Sequence, residues 1–439
     1  MGRIQRIHKG PEVTFLKTSE VEYWLNQRRE SSNPSITQIP LTQVSKWSWN
    51  KTSDYFSHES GMFFKICGTE TTISGNTIYQ PIILQPEIGI LGILAKKFDG
   101  VLHFLMQAKI EPGNVNAIQL SPTVQATKSN YTQIHKGSKT KYIEFFQDRS
   151  KGIILSDQLQ SEQNSFFYMK KNRNIILETT QEVEIHPDFC WLTMAQLKKL
   201  MRIKNLVNMD SRTVLASFRE NSEVKENPIF SMTDLLSWFT EAKARLEIQV
   251  KLVGLSSLKN WNMDSGDISK SDHTYFSVTG VSFEAKSREI ANWMQPLIKP
   301  NAQGLNVFFV KAFNGIPHFL VQAKVEPGCM DGMELGPSVQ FLPESPWNFI
   351  TPENSQWSNI ATSASSPRIL FDTIQSEEGG RFYHYQNRNM IVQIQDELGA
   401  IPADYTWMTL NQMQTALCFS NLFNLEARSL IACYEAVTK

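Results

Sequence analysis

The stretch HFLMQAKIEPG at residues 103–113 returns as HFLVQAKVEPG at residues 318–328, with nine of eleven positions identical. The same spacing of 215 residues aligns Gln80-Pro81 with Gln295-Pro296 and SPTVQ (121–125) with GPSVQ (336–340). It also aligns QSEQNSFFYMKKNRN (160–174) with QSEEGGRFYHYQNRN (375–389). Toward the end the spacing slips to 216, pairing Trp191 with Trp407 and Arg212 with Arg428. A period this long is not that of a solenoid; it marks a duplicated domain. The 439-residue chain, too long for one ordinary core, is therefore expected to hold a first module at 1–218, a polar linker RENSEVKENP at 219–228 and a second module at 229–439.

Both modules follow one plan. An amphipathic helix comes first, over 19–30 and 232–247. Several β-rich segments with Gly turns follow, and another helix comes near the end. Thr193 with Gln196, and Thr409 with Gln412, have the spacing of a capping box. Strands followed by helices, rather than strict alternation, indicate an α+β fold. Within 318–326, Phe319, Val321, Ala323 and Val325 share one strand face, and His318, Leu320, Gln322, Lys324 and Glu326 the other; His103, Leu105, Gln107, Lys109 and Glu111 repeat the second set. The alternation reads as an antiparallel strand with one face in water, and a polar face lining a cleft is the alternative.

Several classes are disfavoured. Lys plus Arg and Asp plus Glu balance at 43 each, with a pI near 7.1, so there is no electrostatic footprint for nucleic acid. Five cysteines without a CxxC argue against a disulfide framework or zinc site and suit a reducing cytoplasm. The start MGRIQRIHKG has no apolar signal region, Arg6 argues against myristoylation, and the apolar run Ile88 to Ala95 is too short to span a membrane. GxGxxG, GxxxxGK[ST], HExxH and GxSxG motifs are all missing. Any catalysis must run on ordinary acid–base groups.

The candidates for those groups gather in the second module. Glu377 and Glu378 are the strongest acid–base residues, and His384 is either solvated or a base. As neighbours on an extended chain, the two glutamates point to opposite faces. Arg288, with Arg381 and Arg388, suits a phosphate, and Trp293 beside Gln295 suits a base. Gly379-Gly380 allows close backbone approach to a ligand, or serves a plain turn. Ser338 with Gln340, and Thr123 with Gln125, put a hydroxyl and an amide on one face, a plausible reader of a base edge or sugar.

These motifs, together with the terminal YTWMTLNQM and NLEARSLIAC, resemble the NDP-hexose 2,3-dehydratases of deoxysugar biosynthesis over nearly the whole chain. The resemblance implies two tandem duplicated Nudix-like α+β modules, with mixed and antiparallel sheets and flanking helices, in a cytoplasmic homodimer. It implies a dTDP-4-keto-6-deoxyglucose substrate and neither metal nor nicotinamide cofactor; the Nudix glutamate box is absent. It implies one nucleotide-sugar pocket per module, of which one is catalytic. The expected second-module pocket is Trp261, Arg288, Trp293, Ser338, Gln340, Ser376, Gly379, Gly380, Arg381, Tyr383, Asn387 and Arg388, with Glu377, Glu378 and His384 for chemistry. The expected first-module pocket is Trp47, Thr123, Val124, Gln125, Thr127, Ser161, Glu162, Asn172 and Arg173. Because the first module has Gln163, Asn164, Ser165 and Phe166 opposite Glu378, Gly379, Gly380 and Arg381, the second module is expected to catalyse. The alternatives are a non-catalytic nucleotide-sugar binder, a 3-epimerase working through the same enolate, and a Nudix-type hydrolase.

Overall fold

A computed structural model describes residues 15–128, 140–219, 226–263, 266–285, 292–350, 352–363 and 368–435. Most of the expected linker and Arg288 lie outside the described residues. The fold is α+β, and the two modules repeat one seven-stranded mixed sheet. In the first, five of the seven strands run in the order Ile153–Ser161, Lys171–Glu178, Ile90–Phe98, Val101–Ile110, Phe189–Thr193, and Ile118–Ser121 and Val124–Ala126 pair beside them. In the second, the order is Ile369–Ser376, Gln386–Gln393, Gly304–Phe313, Ile316–Val325, Tyr405–Thr409. Each sheet contains one parallel pair, Lys171–Glu178 on Ile90–Phe98 and Gln386–Gln393 on Gly304–Phe313.

Both capping boxes form. Thr193 Oγ1 accepts from Gln196 N at 3.2 Å while Gln196 Oε1 accepts from Thr193 N at 2.9 Å; Thr409 and Gln412 do the same at 3.2 and 3.0 Å. The expected opening helices are Val21–Ser32 and Met232–Arg245.

The modules are not laid side by side. Each sends its first strand into the other's smaller, five-stranded sheet. Ser35–Ile39 pairs antiparallel with Phe276–Glu284 of the second module, and Ile248–Val253 pairs antiparallel with Lys65–Ile73 of the first. The helices Met209–Ala216 and Leu425–Glu435 meet between the large sheets, and Val214, Leu215, Ala427, Leu430 and Ile431 share one continuous core with residues of both sheets. Packing Leu, Ile, Val and Phe from both halves into one core makes each module's burial depend on the other.

The strand 316–325 corrects the solvated-face reading. His318, Gln322, Lys324 and Glu326 are all buried, as is Glu111 in the first module. The polar face is covered by protein and lines a cleft, the alternative reading of the alternation.

Candidate active site

The cleft takes shape where the modules enter each other. The turn Glu111-Pro112-Gly113 lies against residues 379–384: Gly113 N donates to Gly379 O at 2.7 Å, and His384 N donates to Gly113 O at 2.8 Å. The second module returns the contact, with Gly328 N donating to Asn164 O at 2.8 Å and Met169 N to Gly328 O at 2.9 Å. A Cβ on Gly113 would stand 1.6 Å from Phe382 O, and one on Gly328 1.7 Å from Phe167 O, so only glycine permits this approach.

Because the chain is extended here, consecutive side chains diverge into different pockets. Glu377 stays with its own module, accepting from Asn387 Nδ2 at 2.8 Å, and also accepts from Gln163 Nε2 of the first module at 2.8 Å. Glu378 turns the other way. It enters the first module's pocket, where Glu111, Glu162 and Lys109 act on its charge. This corrects the expected grouping, since Glu378 and Arg381 complete the first-module pocket rather than their own. Gln163 and Phe166 cross in the opposite direction.

The first pocket is therefore composite. Glu162, nearly fully buried, accepts from Asn172 Nδ2 at 2.5 Å. Gln125 Nε2 donates to Glu111 Oε1 at 2.8 Å and Gln125 Oε1 accepts from Asn208 at 3.2 Å. The buried Lys170 ammonium donates to Glu87 O. Asp210 is buried on the helix Met209–Ala216, with Oδ2 unbonded. From the second module, Glu378 Oε1 accepts from Gly380 N at 3.0 Å. Arg381 donates to Gln85 Oε1 at 3.2 and 3.1 Å and to Gly380 O at 2.8 Å, and its guanidinium stacks 4.3 Å from the Phe64 ring centroid. Among the described residues no carboxylate forms an ion pair with Arg381, which leaves its charge for an anion.

The second pocket is the same frame with different chemistry. Gln340 Nε2 donates to Glu326 Oε1 at 3.0 Å and Gln340 Oε1 accepts from Asn424 at 2.7 Å. Ser165 Oγ donates to Glu326 Oε1 at 2.6 Å. Tyr385 stands where the first pocket has Lys170, Gln163 where it has Glu378, and Phe166 where it has Arg381. Phe166, Tyr275, Trp347 and Tyr385 add aromatic rings to its wall beside the polar Asn306, Lys324, Glu326 and Glu426.

Electrostatics separate the two pockets. In the first, burial pushes the Glu378 carboxyl up to about 7; Arg381 opposes the shift, and Glu111 and Glu162 add to it. Burial also raises Glu162, and Lys170, Arg428, the Asn172 hydrogen bond and Arg381 pull it back. Burial lowers Lys170 to about 8 against the pull of Glu162 and Glu87. Asp210 is pushed well up by burial and by Glu162, Glu378 and Glu111. Burial first, and then the neighbouring Glu111 and Glu162 charges, favour the protonated form of Glu378. In the second pocket Gln163 takes the place of Glu378, and both oxygens of Glu377 accept amide N–H bonds.

Other expected residues sit away from this chemistry. Arg173 and Arg388 point to the opposite strand face and form bidentate pairs with Asp157 (2.7 and 2.7 Å) and Asp372 (2.8 and 2.6 Å). Ser338 and Thr123 bind backbone: Ser338 Oγ donates to Leu320 O at 2.6 Å and accepts from Phe309 N at 2.8 Å, and Thr123 Oγ1 does the same with Leu105 O and Leu94 N. The expected pairing of hydroxyl and amide as ligand readers is thus replaced by strand-tying hydroxyls. Val124 is core, and Thr127 lies beside Gly89 at a strand end. Trp47 and Trp261 are buried among aromatic rings; Trp47 packs 4.9 Å from Phe64, one ring behind Arg381, and Trp261 Nε1 donates to Tyr79 O at 2.7 Å. Trp293 packs tilted against Phe283 with ring centroids 4.2 Å apart, and Gln295 donates to Gly380 O at 2.6 Å. Ser376 and Ser161 are buried between the modules, bonded to Gln119 and Glu334. His384 is exposed, at φ 53°, with its ring stacked 4.1 Å over Tyr383.

Sequence reasoning missed Glu111, Lys109, Lys170, Asp210 and Gln85. The signal for Glu111 and Lys109 was present in the polar face of the repeated strand. Nothing local distinguishes Lys170 or Gln85.

A family model for NDP-hexose 2,3-dehydratase matches the chain twice, over residues 18–218 and 232–434. A dTDP-4-dehydro-6-deoxy-alpha-D-glucopyranose 2,3-dehydratase of Streptomyces violaceoruber is 42% identical over 436 residues, covering 96% of this chain and 97% of that protein. Enzymes of the same name from Saccharopolyspora spinosa and Amycolatopsis orientalis are 40% and 39% identical, each matched over 91% of its length by 95% and 96% of this chain. With both halves matched and the relatives aligned nearly end to end, the chain belongs to the NDP-hexose 2,3-dehydratase family.

Proposed function

We propose that the protein is a carbon–oxygen lyase that removes the C2 hydroxyl of dTDP-4-keto-6-deoxyglucose, and that the first-module pocket, completed by Glu378 and Arg381, is where it does so. The names of its relatives support the reaction. The observation that carries the choice of pocket is the Glu162–Glu378 pair, whose counterpart is Glu377 with Gln163.

The C4 ketone acidifies the C3 proton. Glu162, held by the Asn172 hydrogen bond and facing Lys170 and Arg428, carries the negative charge of the pair and takes that proton. Electron density moves onto the C4 oxygen, and the buried Lys170 ammonium, which faces both Glu162 and Glu378, is the cation assigned to meet it. Glu378 holds the pair's proton and gives it to the departing C2 hydroxyl, which leaves as water. The C2–C3 enol then gains a proton at C2 and loses one from its C3 hydroxyl, giving the 3,4-diketo-2,6-dideoxy sugar and restoring both carboxyls. Arg381, which forms no carboxylate ion pair among the described residues, holds the diphosphate. We also read the chain as a cytoplasmic homodimer of Nudix-like modules, a reading that light scattering and structural comparison test.

Mass spectrometry following loss of the C2 oxygen tests the assignment. Glu162→Gln and Glu378→Gln should each cut turnover by at least ~100-fold, with Glu377→Gln mild by comparison. Loss confined to Glu377→Gln would move catalysis to the second pocket. Exchange at C3 without loss of oxygen would favour an epimerase.

A further inference from the structure

Arg212 and Arg428 are twins at the module interface, both almost completely buried. Each reaches across to the end of the other module's outer strand. Arg212 Nη2 donates to Ser376 O at 3.0 Å, Nη1 to Val207 O at 2.7 Å and Nε to Ser429 Oγ at 2.6 Å. Arg428 donates to Ser161 O, to Ser161 Oγ at 3.4 Å and to Phe423 O at 2.5 Å. Ser161 is the residue before Glu162, and its hydroxyl donates to Glu334 at 2.6 Å.

The twins differ in what their charge faces. Arg428 faces Glu334, Glu162 and Glu426. Arg212 faces Glu377, Cys433 and Asp210, and Gln119 replaces Glu334 beside it. The groups around Glu162 are Lys170 and Asn172 on its own module, Glu378 and Arg381 from the second-module turn, Asp210 from the helix Met209–Ala216, and Arg428 from the helix Leu425–Glu435.

We propose that Arg428 is a positioning residue for Glu162, fixing the backbone before it and holding its charge from across the module interface. Its twin Arg212 stands in the same relation to Glu377, which lies outside the reacting set. This rests on the reading of Glu162 as the base. Only Glu162 among the reacting groups has its preceding residue clamped by a cation that also faces its carboxylate.

The test compares twins. Arg428→Gln removes the cation, so Glu162 becomes harder to ionise. The acid limb of the kcat/KM–pH profile should move up by about one unit, lowering activity about tenfold at pH values below the limb. KM should stay within about threefold. Arg212→Gln should lose comparable thermal stability and leave the acid limb in place. Arg428→Lys, a milder change against failure to fold, should move the limb by about half a unit in the same direction. Equal shifts in the Arg428 and Arg212 variants, or no shift in either Arg428 variant, would overturn the proposal. Glu162→Gln is measured alongside: if it stays active, the reading of the base fails instead, and that failure is separate from this one.

Discussion

Glu378→Gln should make the protein more stable while disabling it, and the gain should depend on pH. In the folded protein burial raises the Glu378 carboxyl from 4.5 to about 7. Below about pH 4.5 the carboxyl is protonated in both folded and unfolded chains and contributes nothing to the pH dependence. Between 4.5 and 7 the folded state keeps the proton that the unfolded state has released, so stability falls as pH rises. Above 7 both states are ionised and the penalty is complete. A shift of this size corresponds to about 3 kcal/mol at 1.36 kcal/mol per unit, and the half-buried position of the side chain trims it toward about 2 kcal/mol. The glutamine has nearly the shape of the protonated acid and no charge to lose. Variant and parent should therefore differ by under about 1 kcal/mol at pH 5 and by about 2–3 kcal/mol at pH 8. In a thermal melt that is a gain of roughly 2–3 °C, for a 439-residue chain with entropy per residue of the ordinary size. Parallel melts from pH 5 to 8.5, with turnover measured on the same samples, decide the matter. A gain that does not vary with pH, or a loss at pH 8, would refute the argument that burial beside Glu111 and Glu162 holds the Glu378 carboxyl above its ordinary value.

Two further contrasts use the duplication as its own control. Gly113→Ala must push the turn about 2 Å to restore normal contact and forfeits two interface hydrogen bonds, a cost of about 3 kcal/mol or more. It should also cut turnover far more than Gly328→Ala, because it displaces the segment carrying Glu378 and Arg381; differential scanning calorimetry and initial rates measure both. Arg381→Gln should raise KM for the nucleotide sugar about tenfold by removing an anion partner, whereas Arg388→Gln, which only breaks its partly exposed pair with Asp372, should leave kcat/KM within about twofold and cost under ~1 kcal/mol.

Much of the architecture is legible from residues alone. The repeat at a fixed spacing, the two capping boxes and the α+β order are local patterns, and local patterns survive folding. The divergence of Glu377 and Glu378 follows from strand geometry as well. What lies on the far side of Glu378 does not. Its neighbours Glu111 and Glu162 sit hundreds of residues away in sequence and meet it only because the Gly113 turn docks on Gly379. A side-by-side reading of two modules therefore credits Glu378 and Arg381 to the wrong pocket. Arg173 and Arg388 mislead for a simpler reason: an arginine in a polar stretch looks like an anion site until Asp157 or Asp372 is seen across the strand.

The crossed strands Ser35–Ile39 and Ile248–Val253 carry a consequence about ancestry. Each fills a slot in a sheet that its own half leaves open. A chain with a single copy of this unit would meet the same need only by trading that strand with a second copy, as in a domain-swapped dimer. The present chain has the shape of such a pair joined end to end. Joining changed what each pocket could become. In a symmetric pair, every substitution in a crossing turn appears in both pockets at once. Once fused, the turn from one half and the frame from the other vary separately, so one pocket could carry a second acid and an arginine while its twin carries an amide and a phenylalanine.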